Sequence, residues 1–316
     1  MNWKLKSILQ NSIALVPSPL SYSLYYWTQK KFGGLKAPDP LPRILLACDA
    51  WKKIISLGFE PKGKTFFEVG TGRAPLVPIA YFLMGAENII TVDINPYLKE
   101  ELLRRDLAVI FQKEEEIKRI FGAFLVKSRW SKIKSYFQSQ QFNLDKFLKI
   151  SEIQYFAPAD ASTTTINRES VDYHTSCAVF EHIPRKKIID ILIEGNRITK
   201  NDGLFLHVID YTDHFSHTDK SISPINFLSF SDKKWNLIAG NKYMYANRMR
   251  HDDFIMLFEE VGHKILLNEP LIDQNIQKLL NSDTILLNEK FSQKSIEILS
   301  TTGAWIGTRK INRHKP

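Results

Sequence analysis

From Lys64 onward, short apolar runs alternate with stretches of helical periodicity, the pattern of a parallel sheet with crossover helices. The runs predict strands at residues 65–69, 88–92, 153–156, 175–179, 204–208, 264–267 and 304–307. One interval is too long for a simple crossover: residues 97–151 hold a charged, helix-favouring stretch and then a basic aromatic one, and predict an inserted helical subdomain or lid. Ahead of the sheet, Trp3, Leu5, Ile8, Leu9 and Ile13 recur at helical spacing, with Pro17 and Pro19 closing that helix. Residues 22–32 form a second helix, aromatic on one side and basic at its end, expected to dock on the core; a lipid interface is the alternative. A third, amphipathic helix carries Ile44, Leu45, Cys48, Trp51, Ile54 and Ile55 and closes at Gly58. The chain thus divides into an N-terminal helical appendage, 1–40, and a main domain, 41–316, that contains the insertion.

Composition narrows the class without altering this outline. With 316 residues, 44% hydrophobic and 24% charged, the chain can bury a full core, which excludes a disordered or fibrous protein. Its formal charge of +9 favours anionic partners. Cys48 and Cys177 stand far apart with no Cys-x-x-Cys pair, so neither a disulfide scaffold nor a structural zinc site is expected. No apolar stretch approaches the length needed to span a bilayer, and the expected address is cytoplasmic.

The chemistry gathers in residues 65–95. Glu68 lies near the end of a buried strand, Gly70-Thr71-Gly72 makes a tight turn, and an apolar helix begins near Pro75. Glycines at 70 and 72 permit positive φ and close approach of backbone to a ligand; Pro75 suits a first helical turn, where its missing N–H is no loss. Asp93 follows the second strand, where an acidic side chain can accept both hydroxyl hydrogens of a ribose. These are the parts of a nucleoside pocket. A nicotinamide-dinucleotide fingerprint would carry a third glycine where Pro75 stands.

The turn instead resembles the E/D-x-G-x-G signature of class I S-adenosylmethionine-dependent methyltransferases, with Glu68, Gly70 and Gly72 in the matching places and Ala74 where many members have a third glycine. Residues 156–161 (FAPADA) and 176–184 (SCAVFEHIP) fit that family in order and spacing, the latter as a strand with a terminal L-E-H-like motif. The resemblance spans about residues 60–210, with 264–309 matching loosely as a final strand pair. It implies a Rossmann-like α/β fold whose seven-stranded, mostly parallel sheet is flanked by helices. It also implies S-adenosyl-L-methionine as cofactor: the glycine turn at Gly70 and Gly72, after Glu68, holds the amino acid part, Asp93 the ribose, and Asp160 the adenine amino group. Val69, Thr71, Ile94, Ala161, Phe180 and Glu181 complete the implied cofactor-binding set.

Beyond the fifth strand, residues 209–219 (IDYTDHFSHTD) are dense in groups that exchange protons. In the family this connection sits near the transferring methyl, and methyl transfer to oxygen needs an in-line approach and a base. His214 is the first candidate for that base, with His182 and Asp210 next. No metal is expected, although Asp213, His214, His217 and Asp219 could gather around an ion. Arg248 and Arg250 suit either an anionic acceptor or surface salt bridges. The expected reaction is O-methylation of a small molecule or glycan by direct displacement. One alternative is methylation of nucleic acid (RNA), drawing on the net charge and on basic residues 127–134 beside Trp130 and Tyr136. The other is a non-catalytic, membrane-associated cofactor-binding protein that meets anionic lipid through its N-terminal segment.

Overall fold

Phe66 and Phe67 bury on opposite sides of one strand, and the two apolar cores to which they belong define the layers of the molecule. The computed structural model describes residues 1–311 except positions 19, 140, 283 and 284. The expected helix stop at Pro19 therefore lies outside the described residues.

The N-terminal half runs α1 (Trp3–Leu15), α2 (Leu20–Phe32), α3 (Leu41–Ser56), β1 (Thr65–Val69), α4 (Leu76–Met84), β2 (Asn88–Val92), α5 (Glu100–Gln112), α6 (Glu114–Phe121), α7 (Lys127–Gln138), α8 (Leu144–Ile150) and β3 (Ile153–Phe156). It continues as β4 (Val171–Cys177), α9 (Arg185–Ile198), β5 (Thr199–Asp210), α10 (Asp232–Ala239), α11 (His251–Glu260), β6 (His263–Ile272), α12 (Gln274–Asn281), α13 (Ile296–Ser300) and β7 (Thr301–Lys310).

The first three strands fall where the apolar runs place them. β4 is shifted toward the N-terminus for two reasons: Asp172 and His174 disguise its beginning as polar, and Ala178 ends it by adopting φ 54, outside extended backbone. β6 outruns its apolar segment because this edge strand is largely solvent-facing and so carries polar residues, and β7 outruns its own because Thr301, Thr308, Arg309 and Lys310 continue the pairing with β6 at its ends.

The strands form one sheet in the order β3-β2-β1-β4-β5-β7-β6, in which β7 runs antiparallel to both neighbours and the other six share a direction. The chain winds outward from β1 to β3 and then returns to the far side of β1 as β4. Between β1 and β4 the winding reverses, and a crevice opens outside the carboxyl ends of such strands.

Helices α3 and α4 cover one face together with α5–α8, whose Leu103, Ile117, Trp130 and Phe147 join the Phe66 core. The inserted segment is therefore mostly a layer of the domain and not a lid; only Tyr97 and the early part of α5 reach the crevice. Its basic aromatic stretch is bonded inward. Arg129 donates to the carbonyls of Phe82 (2.8 Å) and Ala86 (2.5 Å), Lys134 pairs with Glu114, and Trp130 is buried. The opposite face is covered by α9 and α11. A third cluster joins Trp3 of α1 to Phe215, Phe227, Trp235 and Ile276, so the N-terminal helix is docked and not free. Leu5, Ile8, Leu15, Leu20, Trp27 and Phe32 nevertheless stay exposed on α1 and α2. Among the described residues, no helix is long and apolar enough to cross a membrane.

Three histidines lie inside this frame. His174 is fully buried with neither ring nitrogen bonded among the described residues, His207 bonds Ser176 Oγ (2.8 Å), and His263 bonds Thr308 Oγ1 (2.8 Å) and Asn196 Oδ1 (2.9 Å). Burial lowers His174 to about 3, His263 to about 4 and His207 well below its usual range. Below the unfolded pKa of about 6.5 the open chain takes up protons that the folded chain refuses, so stability falls with acidification. We expect melting temperatures to hold above about pH 6.5 and drop between there and pH 4, each histidine contributing up to about 1.4 kcal/mol per pH unit. A His174→Leu variant with an equally steep acid limb in a thermal-shift series would count against this assignment.

Candidate functional site

The carboxyl ends of β1, β2 and β4 open into a cleft of about 910 Å3, within the range of small-molecule and cofactor sites. Its floor is the glycine turn. Gly70 has φ +88 and donates its N–H to Val92 O (2.8 Å); an added Cβ would stand 2.6 Å from Val179 Cγ2. Gly72 has φ +70, and nothing lies within 4 Å of where its Cβ would be. The first glycine is thus required by packing, and the second presents bare backbone toward open space.

Asp93 fastens this turn. Its Oδ2 accepts from Gly72 N (2.9 Å) and its Oδ1 from Asn95 N (2.9 Å), which leaves each oxygen a further lone pair for a ligand. Burial nevertheless raises its pKa from the usual Asp value. Glu68 lies at the cleft wall, 1% exposed, accepting a hydrogen bond from the Thr175 hydroxyl; burial pushes it up to about 7. Arg43 lines the same wall and donates to Cys177 O (2.7 Å). Val69, Thr71, Ile94, Asp160 and Ala161 also line the cleft. Asp160 already accepts from Ser162 N (2.9 Å), Ser162 Oγ (2.7 Å) and Lys187 Nζ (3.0 Å), which together outweigh burial and hold it below its usual pKa.

Phe180 and Glu181 do not line the cleft. Phe180 is 0% exposed and stacks on His207 in the core, because the turn after β4 points its ring beneath the sheet's end. Glu181 points toward the loop after β5 instead. Asn247 fixes this turn by donating its side-chain N–H groups to the carbonyls of Phe180 (2.8 Å) and Ile183 (2.9 Å) and its backbone N–H to that of Glu181 (2.9 Å).

Beside the cleft stands a group of histidines and carboxylates. His182 lines the cleft, its ring 4.7 Å from that of His214, while His214 Nε2 lies 3.3 Å from Asp210 Oδ2. Burial opposes charge on both members of that pair, but their mutual attraction prevails, lowering Asp210 to about 2 and raising His214. His182 is lowered to about 4 by desolvation and by His214. Desolvation pushes Glu181 up to about 8. The loop's other acids do not join them. Asp213 accepts from Phe215 N and Asn226 Nδ2, and Asp219 from Trp3 N and Ser221, both shaping turns.

Arg248 and Arg250 are likewise structural, contrary to their expected use on an anionic acceptor. Arg250 is 0% exposed and donates to the carbonyls of Tyr211, Leu299 and Thr301; Arg248 donates to those of Phe227 and Phe230 and pairs with Asp232. Backbone carbonyls and the Asp232 carboxylate occupy the terminal nitrogens of both forks.

The far wall comes from residues that local periodicity does not mark as functional. Tyr25 and Gln29 of α2 face the cleft, with Lys242, Tyr243 and Tyr245 from the segment after α10. Tyr25 stacks on Tyr243 (4.0 Å between ring centroids), and Arg73 of the glycine turn lies 4.9 Å from the Tyr97 ring. The only available signal was the spacing of Tyr22, Tyr25 and Tyr26, which marks a packed face without saying what lies across it.

Scanned against known proteins, the sequence matches no protein-family model. No curated protein matches it. Solved structures share its fold remotely. An S-adenosylmethionine-dependent methyltransferase from Mesorhizobium loti is 10% identical over 82% of this chain and 97% of its own, with a TM-score of 0.43. A putative methyltransferase in complex with the Haloferax volcanii Trm112 activator is 14% identical over 85% and 96%, with a TM-score of 0.44. A geranyl diphosphate C-methyltransferase from Streptomyces coelicolor, in complex with Mg2+, geranyl diphosphate and S-adenosyl-L-homocysteine, is 11% identical over 84% and 78%, with a TM-score of 0.45. Likenesses this remote leave the functional reading to the cleft itself.

Proposed function

We propose that the cleft holds S-adenosyl-L-methionine and that the chain is a methyltransferase. The observation that carries this is the state of the glycine turn. Gly70 and Thr71 direct their N–H groups to Val92 O, Gly72 gives its own to Asp93, and Pro75 has none. A pyrophosphate would need such donors free, whereas an adenosyl group needs a bare backbone surface and an acidic ribose acceptor. Gly72 and Asp93 supply these.

In this reading Asp93 accepts from the ribose hydroxyls, Asp160 and Ala161 border the base, and Glu68 receives the ammonium of the amino acid part. The cofactor supplies, when bound, a methyl group on a cationic sulfur. The aromatic wall of Tyr25, Tyr97 and Tyr243 excludes water from one side, and the acceptor enters beside His182. We further propose a small-molecule acceptor methylated at oxygen. The acceptor oxygen gains the methyl carbon as the carbon–sulfur bond breaks, the electron pair stays on sulfur, and the hydroxyl proton passes to solvent through the histidine–carboxylate group. Most of the acceleration would come from positioning. Transfer of labelled methyl to a panel of hydroxylated small molecules tests the acceptor class; labelling of RNA alone would overturn it.

Glu68 gives the cofactor reading a pH signature. Pushed up to about 7, it is half protonated near neutrality, and only its carboxylate can pair with the incoming ammonium. We expect S-adenosylhomocysteine affinity to rise by up to about tenfold per unit between pH 5.5 and 7 and to level off above. Calorimetry across that range checks it, and a Glu68→Gln variant should show weaker binding with no such slope.

A further inference from the structure

The turn after β4 holds a buried carboxylate that no side chain partners among the described residues. Glu181 is 4% exposed, and neither Oε1 nor Oε2 makes a hydrogen bond of good geometry; only the backbone N–H groups of Glu181 and Asp210 approach it. His214 Nε2 is also buried and lacks hydrogen-bond geometry, although Asp210 Oδ2 is 3.3 Å away. The ligand atoms of Glu181, His182 and His214 all lie within 4.8 Å of one another, as do those of Asp210, His214 and His217. Donors around one tetrahedral ion at about 2.0–2.2 Å are about 3.3–3.6 Å apart, so side-chain rotations that draw the donors together by roughly 1 Å close the set.

His182 is already set as a ligand. Its Nδ1 lies 2.9 Å from Tyr245 O, and a carbonyl can only accept, so Nδ1 carries the proton and Nε2 keeps its lone pair. Asn247 holds the whole 180–183 turn by three hydrogen bonds, giving the ligands a rigid support. With an ion bound, Glu181 and Asp210 would bring two negative charges and the two neutral imidazoles none, a set that a compact divalent cation balances.

We propose that Glu181, His182 and His214 bind one divalent transition-metal ion of the zinc class, with Asp210 beside His214 supplying the balancing charge. Two imidazoles and a carboxylate suit zinc and its first-row neighbours, whereas magnesium and calcium take oxygen sets. Because His182 also lines the cleft, an ion held there would have room to keep an open coordination position toward the acceptor, as in metal sites that act on substrate. The ion's task rests on the methyl-transfer reading: it would hold an acceptor hydroxyl and let its proton leave at neutral pH, which selects acceptors that present an oxygen donor. Its binding does not rest on that reading.

The test uses the full-length, untagged chain, stripped with chelator and titrated separately with Zn2+ by calorimetry and Co2+ by visible absorption. One ion per chain is expected, undisturbed by Mg2+. Glu181→Gln and His214→Gln should each weaken it at least ~100-fold, as loss of a direct ligand costs no less than loss of an outer partner. S-adenosylhomocysteine affinity should be unchanged in Glu181→Gln, which shows that the variant is folded. No saturable binding, or stoichiometric binding that survives in the double variant, overturns the ion site. Saturable Co2+ binding in a chain that does not bind S-adenosylhomocysteine would support the ion site and refute the cofactor reading; the reverse result refutes the ion site alone.

Discussion

Replacing Asp93 with alanine weakens S-adenosylhomocysteine binding by at least ~100-fold. The variant forfeits hydrogen bonds from two ribose hydroxyls to an ionised carboxylate, each of which contributes about 1.5–3 kcal/mol. It also frees the Gly72 N–H that Asp93 Oδ2 now holds at 2.9 Å, so the turn loses its fastening in the same step. Asp93→Asn separates the two effects, since the amide oxygen can still take one backbone N–H while the charge is gone; its affinity should fall between the others. Thermal melts of all three establish that the fold is intact. Undiminished binding in Asp93→Ala would mean that the end of β2 does not meet a ribose.

The two glycines of the turn give the second large effect, and in opposite currencies. In Gly70→Ala the new Cβ meets Val179 Cγ2 at 2.6 Å and Cγ1 at 2.9 Å on a residue held at φ +88. Left-handed strain of about 1–2 kcal/mol adds to overpacking of about 1–3 kcal/mol, so the melting temperature should fall by several degrees. Gly72→Ala meets nothing within 4 Å and incurs only the strain at φ +70. Its methyl, however, occupies the surface assigned to the ligand, and S-adenosylhomocysteine affinity should drop at least ~10-fold while the melt moves little. If Gly72→Ala binds as the parent does, the open space over Gly72 is not the cofactor's.

The local grammar of β1, the glycine turn, α4 and β2 was legible because each signal acts within a few residues: apolar strand, positive-φ turn, proline-started helix, acid at a strand end. The seven strands were legible for the same reason. What escaped depends on partners distant in sequence. Arg248 and Arg250 look like ligand-binding forks until Phe227, Phe230, Leu299 and Thr301 turn their carbonyls toward them. Phe180 and Glu181 follow a cleft-lining strand end, yet a three-residue helical turn carries one into the core and the other toward β5. The charged run of the insertion reads as a lid because its burying partners, α3 and α4, precede it by dozens of residues. Tyr25 serves the cleft only because Tyr243 comes to lie 4.0 Å from its ring.

The strand order carries a further consequence for how the molecule is made. β7, later in the chain than the other six, occupies an interior place between β5 and β6. Until it emerges from the ribosome, β5 offers a bare hydrogen-bonding edge and β6 has no sheet to join, a state open to aggregation or to chaperone capture. A lesion confined to the ten residues of β7 would therefore cost far more than the strand it removes.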